Sequence, residues 1–124
     1  MINIEITDEI KELVQETIMK YGGNELDYII SAMNIEIYDL PNAFIKEESL
    51  SVKYDNRTVI FIDFELDADR FSYRLAHELG HILLHGDACN HLYRHKRKGF
   101  DHRILDYEAD YFAEELLSYR EVDI

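Results

Sequence analysis

Apolar residues recur along this chain at two different periods. From Thr7, a residue suited to cap a helix and followed by Asp8 and Glu9, positions Ile10, Leu13, Val14, Ile18 and Tyr21 repeat every three or four residues until Gly22-Gly23, which predicts a first amphipathic helix. A second, short helix is predicted from Asn24, again a capping residue, with Leu26, Ile29, Ile30 and Met33 on one side. The period then changes to two. Between Asn34 and Leu40, Ile35 and Ile37 fall on one face and Glu36 and Tyr38 on the other, as in a half-buried strand. Ser49 to Tyr54 and Thr58 to Phe64 are β-branched and aromatic runs joined by Asp55-Asn56-Arg57, which has turn chemistry, so they predict a hairpin. From Asp67 the helical period returns through Ala68, Phe71, Leu75, Leu79, Ile82 and Leu83 until Gly86. A last helix, about Ile104 to Tyr119, carries Leu105, Ala109, Phe112, Ala113 and Leu116 along one seam. Asp87 to Asp101 follows neither period, and so long a stretch without one is expected to be a functional or mobile loop.

The predicted order is α-α-β-β-β-α-α. Consecutive strands with one hairpin predict a small, mostly antiparallel three-stranded sheet with helices segregated from it, an α+β domain. At 124 residues the expectation is a single domain over 1–124, and 47% apolar with 12% aromatic residues is enough for a hydrophobic core. The formal net charge of -13 repels a phosphate backbone, so direct nucleic-acid binding is not expected. A single cysteine, Cys89, cannot form an internal disulfide, Met1 to Ile10 lacks the features of a secretory signal, and no run of about 18 apolar residues predicts a membrane span. The expected location is the reducing cytoplasm.

The chemistry is carried by His77-Glu78-Leu79-Gly80-His81, in the middle of the third predicted helix. Residues four apart lie one turn above each other, so two imidazoles converge on one ion. Glu78 is turned about 100° from His77, where it misses the metal and reaches the attacking water as general base. The ion expected is Zn2+, with Mn2+ admitted by a carboxylate in the ligand set. Because the H-E-x-x-H spacing is common enough by chance, context must support it. Gly80 costs about 1 kcal/mol inside a helix, which predicts a close backbone approach there. Glu108 lies within the apolar seam of the last helix, between Leu105 and Phe112, where an uncompensated carboxylate is costly, so it is the expected third ligand. His85 continues the row but stands roughly 12 Å along the helix from His77, too far to share one ion with both. Asp87 stands where another metallopeptidase type keeps its third ligand, but that type needs a glycine where this chain has Leu84. Arg94, His95, Lys96, Arg97, Lys98 and Arg103 make a basic segment, read either as steering an acidic partner or as a solvated loop. Among Tyr73, Tyr107 and Tyr111, one is a candidate oxyanion donor, without a means of choosing.

The run Leu75 to His85, LAHELGHILLH, followed by Tyr107 to Leu117, YEADYFAEELL, closely resembles the ImmA/IrrE family of zinc metallopeptidases. That resemblance implies a zincin-like fold with the H-E-x-x-H on the third helix, metal ligands at His77, His81 and Glu108, and Glu78 as catalytic base. It departs at Ser118-Tyr119, where the family often has Met-Pro. Family members come from bacteria, phages and mobile elements, and the best-known cleave a helix-turn-helix repressor. The implied function is a zinc endopeptidase acting on a protein substrate, a DNA-binding repressor, that adds as an extended strand to an exposed sheet edge. An alternative of another class is a metal-stabilised binding module that regulates its repressor by holding it without hydrolysis.

Overall fold

The computed structural model describes residues 4–40, 47–86 and 102–120. Helix α1 spans Ile4–Tyr21. It begins before Thr7 because Ile6, one turn ahead of Ile10, also packs against the core, and this burial outweighs the capping preference of Thr7. The helix ends as expected at Gly22, whose φ of 76° is the left-handed conformation, while the Gly23 amide donates back to the Ile18 carbonyl at 2.9 Å.

Helix α2, Leu26–Ala32, is capped at Glu25 without a side-chain hydrogen bond. Asn24, expected to cap it, instead donates from Nδ2 to the carbonyls of Leu116 at 2.8 Å and Tyr119 at 3.3 Å. It thereby satisfies carbonyls at the end of the last helix, and each such bond contributes about 1 kcal/mol.

Strands β1 (Ile35–Asp39), β2 (Ser49–Tyr54) and β3 (Arg57–Ile62) form one sheet in the order β1-β3-β2. The hairpin is present: β2 pairs antiparallel with β3, Tyr54 opposite Arg57, so the turn is only Asp55-Asn56. The other pairing is parallel, Ile35 beside Thr58 and Ile37 beside Ile60, so the α+β domain has a mixed sheet. Consecutive strands need not be neighbours when, as here, the whole of β2 lies in the connection between β1 and β3. The exposed register of β1 is held by Glu36, whose two carboxylate oxygens accept from Arg57 Nε and Nη2, each at 2.7 Å.

Helix α3, Ala68–His85, starts at Asp67, whose side chain accepts from the Arg70 amide at 2.8 Å. Helix α4 spans His102–Ser118. The core joins Ile10, Val14 and Ile18 of α1, Ile29 and Ile30 of α2, Ile35, Ile60 and Ile62 of the sheet, Leu75 and Leu79 of α3, and Phe112 and Leu116 of α4. Helix α3 is therefore central, between the sheet and α4, and its residues Leu75 to His81 are all buried. Among the described residues, no helix is long and apolar enough to cross a membrane. Asp87, Cys89 and the basic segment from Arg94 to Lys98 lie outside the described residues.

The Arg57 guanidinium, with the Tyr38 hydroxyl, lowers the Glu36 carboxyl from its ordinary 4.5 to about 2. A carboxylate depressed on folding stabilises the native state above its unfolded pKa, and this contribution is lost as pH falls from about 4.5 toward 2. Urea unfolding midpoints measured across that window are expected to fall less steeply in Glu36→Gln than in the natural chain.

Candidate metal centre

The middle of α3 faces protein on every side, so its polar side chains must find partners inside. Leu79 and Leu75 take the core side. Gly80 lies against α4: a Cβ there would stand 3.1 Å from Phe112 Cδ1 and 3.2 Å from both the Ala109 carbonyl oxygen and Phe112 Cβ. The close approach expected at this glycine is therefore present, and its partner is α4. It brings the acidic flank of α4 within reach of two imidazoles.

The two helices run antiparallel at this point, since His77 meets Asp110 while His81, one turn on, meets Asp106, one turn back. His77 Nδ1 is 2.7 Å from Asp110 Oδ1. His81 Nε2 is 3.0 Å and His77 Nε2 3.7 Å from the same oxygen, Asp106 Oδ1. The imidazole rings stand edge to face with centroids 4.6 Å apart. One ligand atom from each of His77, His81 and Asp106 lies within 4.8 Å of the others, so these three residues form a group that could hold a metal ion. Two imidazole nitrogens and a carboxylate are a ligand set suited to zinc. The two histidine side chains are 4% and 0% exposed, whereas Asp106 is 54% exposed, so the group is walled by α3 and open on its α4 side.

Glu108 is not brought to this group. Two positions from Asp106, it is turned about 200° around α4, and its Oε1 is 2.8 Å from His85 Nε2. His85 Nδ1 in turn lies 2.9 Å from His81 Nδ1.

Glu78, 1% exposed, faces the sheet side. Its Oε2 accepts from Ser49 Oγ at 2.7 Å and from Arg74 Nη2 at 3.4 Å, and Arg74 Nε donates to Ser49 Oγ at 2.8 Å. One turn earlier, Arg70 Nε donates to Glu48 Oε1 at 2.8 Å, so α3 is pinned to the start of β2 by two successive arginines. The other oxygen, Glu78 Oε1, is buried with no hydrogen-bond partner among the described residues. An acceptor left so in a folded interior is costly unless a proton donor reaches it.

The two aspartates and the His77 imidazole favour each other's charged forms. Burial on its own would lower the His77 pKa, but hydrogen bonds to Asp106 and Asp110 outweigh it and raise the value above 6.5. Burial would raise Asp106 and Asp110, yet hydrogen bonds with His77, and for Asp106 also with His81, hold both below the usual carboxylate range. Tyr73, half-buried and hydrogen-bonded to Asp110, is pushed up to about 12, so its hydroxyl keeps its proton. Of the other two tyrosines, Tyr107 is exposed and Tyr111 packs against the core.

Reading the sequence did not single out Asp106, Asp110, Ser49 or Arg74. A signal existed for the first two: they are four apart on α4, as His77 and His81 are on α3, so an acidic pair one turn apart faces an imidazole pair one turn apart. Ser49 carries no local signal, because only the sheet register places it beneath Glu78.

An H-E-x-x-H helix buried between a small mixed sheet and a second helix that supplies carboxylates defines a domain of the metallopeptidase type. The chain belongs to the peptidase M78 family, the IrrE N-terminal-like domain, whose family model matches residues 31–122. No curated protein and no solved structure matches it significantly. The matched segment takes in the sheet, α3 and α4, while α1 precedes it.

A methyl group at Gly80 gains about 1 kcal/mol of helix propensity but overpacks a backbone carbonyl and a buried ring, at a cost of about 1–3 kcal/mol. Gly80→Ala is expected to lower the thermal midpoint slightly and Gly80→Val by several degrees more, as followed by circular dichroism. If the group holds a metal ion, the same order is expected in metal affinity, because both substitutions crowd the contact that sets α4 beside His77 and His81.

Proposed function

We propose that this protein is a zinc-dependent endopeptidase whose metal is held by His77, His81 and Asp106 and whose general base is Glu78. The observation that carries the reading is the convergence of three donor atoms within 4.8 Å beside a buried glutamate with one unpartnered oxygen. We assign the third ligand to Asp106 and not to Glu108, because Asp106 Oδ1 is the oxygen that both Nε2 atoms face.

When bound, the ion supplies Lewis acidity that polarises the scissile carbonyl and acidifies the attacking water. The residues of the chain do the rest. Ser49 and Arg74 occupy Glu78 Oε2, which leaves Oε1 to take the proton of the attacking water and return it to the leaving amine nitrogen. Asp110 turns the His77 ring by accepting from Nδ1, and Tyr73 holds Asp110 in turn. An extended substrate strand adds along the outer edge of β2, the strand that starts beside Glu78.

The substrate class follows from the family resemblance: a DNA-binding repressor of helix-turn-helix type, cleaved in the cytoplasm. The net charge of -13 supports a basic protein partner and disfavours nucleic acid itself.

Glu78→Gln is expected to bind one zinc per chain as the natural protein does, while cleavage of a peptide library followed by mass spectrometry falls by about two to four orders of magnitude. Cleavage surviving in that variant would remove Glu78 from the base role. A repressor that stays full length while its DNA occupancy changes would move the protein to a binding module. Removing zinc with a chelator is expected to abolish cleavage and to lower the thermal midpoint.

A further inference from the structure

Glu108 stands outside the group that could hold the metal, yet it is connected to it. Its side chain is 17% exposed and its Oε1 is 2.8 Å from His85 Nε2, His85 Nδ1 is 2.9 Å from His81 Nδ1, and His81 Nε2 is 3.0 Å from Asp106 Oδ1. Two ring nitrogens at 2.9 Å share one proton: one donates and the other accepts. His81 would offer the Nε2 lone pair to a metal ion, so neutral His81 would carry its proton on Nδ1 and donate it to His85 Nδ1. His85, accepting on Nδ1, carries its own proton on Nε2, which points at a carboxylate that can only accept. Each assignment follows from the one before.

We propose that Glu108 is a positioning residue: acting through His85, it holds His81 in the tautomer and orientation that present Nε2 to the metal. The inference rests on the metal site proposed above. It gives the two histidine ligands equivalent support by different routes, His77 backed directly by Asp110 and His81 backed by Glu108 through one intervening imidazole. It also explains why a carboxylate is tolerated on the seam of α4 without reaching the metal, since His85, 6% exposed, supplies the donor that its burial demands.

The test is zinc affinity, measured by competition with a chromophoric chelator. Glu108→Ala and His85→Ala are each expected to weaken zinc about ten- to hundredfold, and Asp106→Ala by considerably more. Combining Glu108→Ala with His85→Ala is expected to cost no more than His85→Ala alone, because the carboxylate acts only through the imidazole. Glu108→Gln is expected to recover most of the loss, as its amide oxygen still accepts from His85 Nε2. Imidazole 15N shifts of the zinc-loaded protein are expected to show protons on His81 Nδ1 and His85 Nε2, and the His85 assignment is expected to be lost in Glu108→Ala.

A multiplicative loss in the double variant, or a Glu108→Ala loss equal to that of Asp106→Ala, would make Glu108 a direct ligand and overturn the relay. So would relay variants that bind zinc as tightly as the natural chain. Should Glu108→Ala not fold, Glu108→Gln and the tautomers of the natural protein still decide. None of these readouts involves proteolysis: a relay pattern without any cleavage refutes only the peptidase, and cleavage with unaffected zinc affinity refutes only the relay.

Discussion

The arrangement of the site depends on one steric constraint, the contact of α3 with α4 at Gly80. Without a side chain there, the backbone of α3 rests on the Ala109 carbonyl and the Phe112 ring. A Cβ there would stand 3.1–3.2 Å from both, so a larger residue strains the contact beside which His77 lies 2.7 Å from Asp110 and His81 3.0 Å from Asp106. A hydrophobic interface thus sets the geometry of a polar one. Packed interiors transmit such strain because they have little free volume to absorb it.

Placing three ionisable residues in the middle of a buried helix is costly unless each finds a partner. The structure meets this from two directions. Helix α4 supplies carboxylates to the imidazoles, Asp110 and Asp106 directly and Glu108 by way of His85. The sheet supplies Ser49, and α3 itself supplies Arg74, to one oxygen of Glu78. The two faces of α3 therefore differ: the α4 face brings together a group that could hold a metal ion, and the β2 face holds one oxygen of Glu78. Only Glu78 Oε1 is left without a partner among the described residues, and it belongs to the one residue whose proposed role is to accept a proton from outside the protein.

The elements were legible from the sequence where local periodicity and turn chemistry coincide. All seven elements among the described residues, the hairpin and the Gly22 helix end follow from patterns within a few residues, as do the H-E-x-x-H in the middle of α3 and the close approach at Gly80. What failed were inferences that crossed elements. Asn24 has the chemistry of an N-cap, yet it caps the far end of α4, because its amide meets two carbonyls there that its own helix does not offer. Nothing in the alternation of β1 states whether it pairs with β2 or β3, so the parallel pairing could not be read.

The ligand set divides along the same line. Taken alone, the sequence determined that His77 and His81 share a helix face, that Glu78 is set off from them, and that the last helix carries the carboxylates, because helical geometry converts spacing into direction. Which carboxylate meets the imidazole pair was decided by the tertiary structure. Asp106 and Glu108 are both on α4, and their difference is an angle about its axis relative to α3, a quantity that no spacing within a single helix contains. The packing at Gly80, Ala109 and Phe112 supplies that angle, turning Asp106 and Asp110 toward His77 and His81 and Glu108 toward His85.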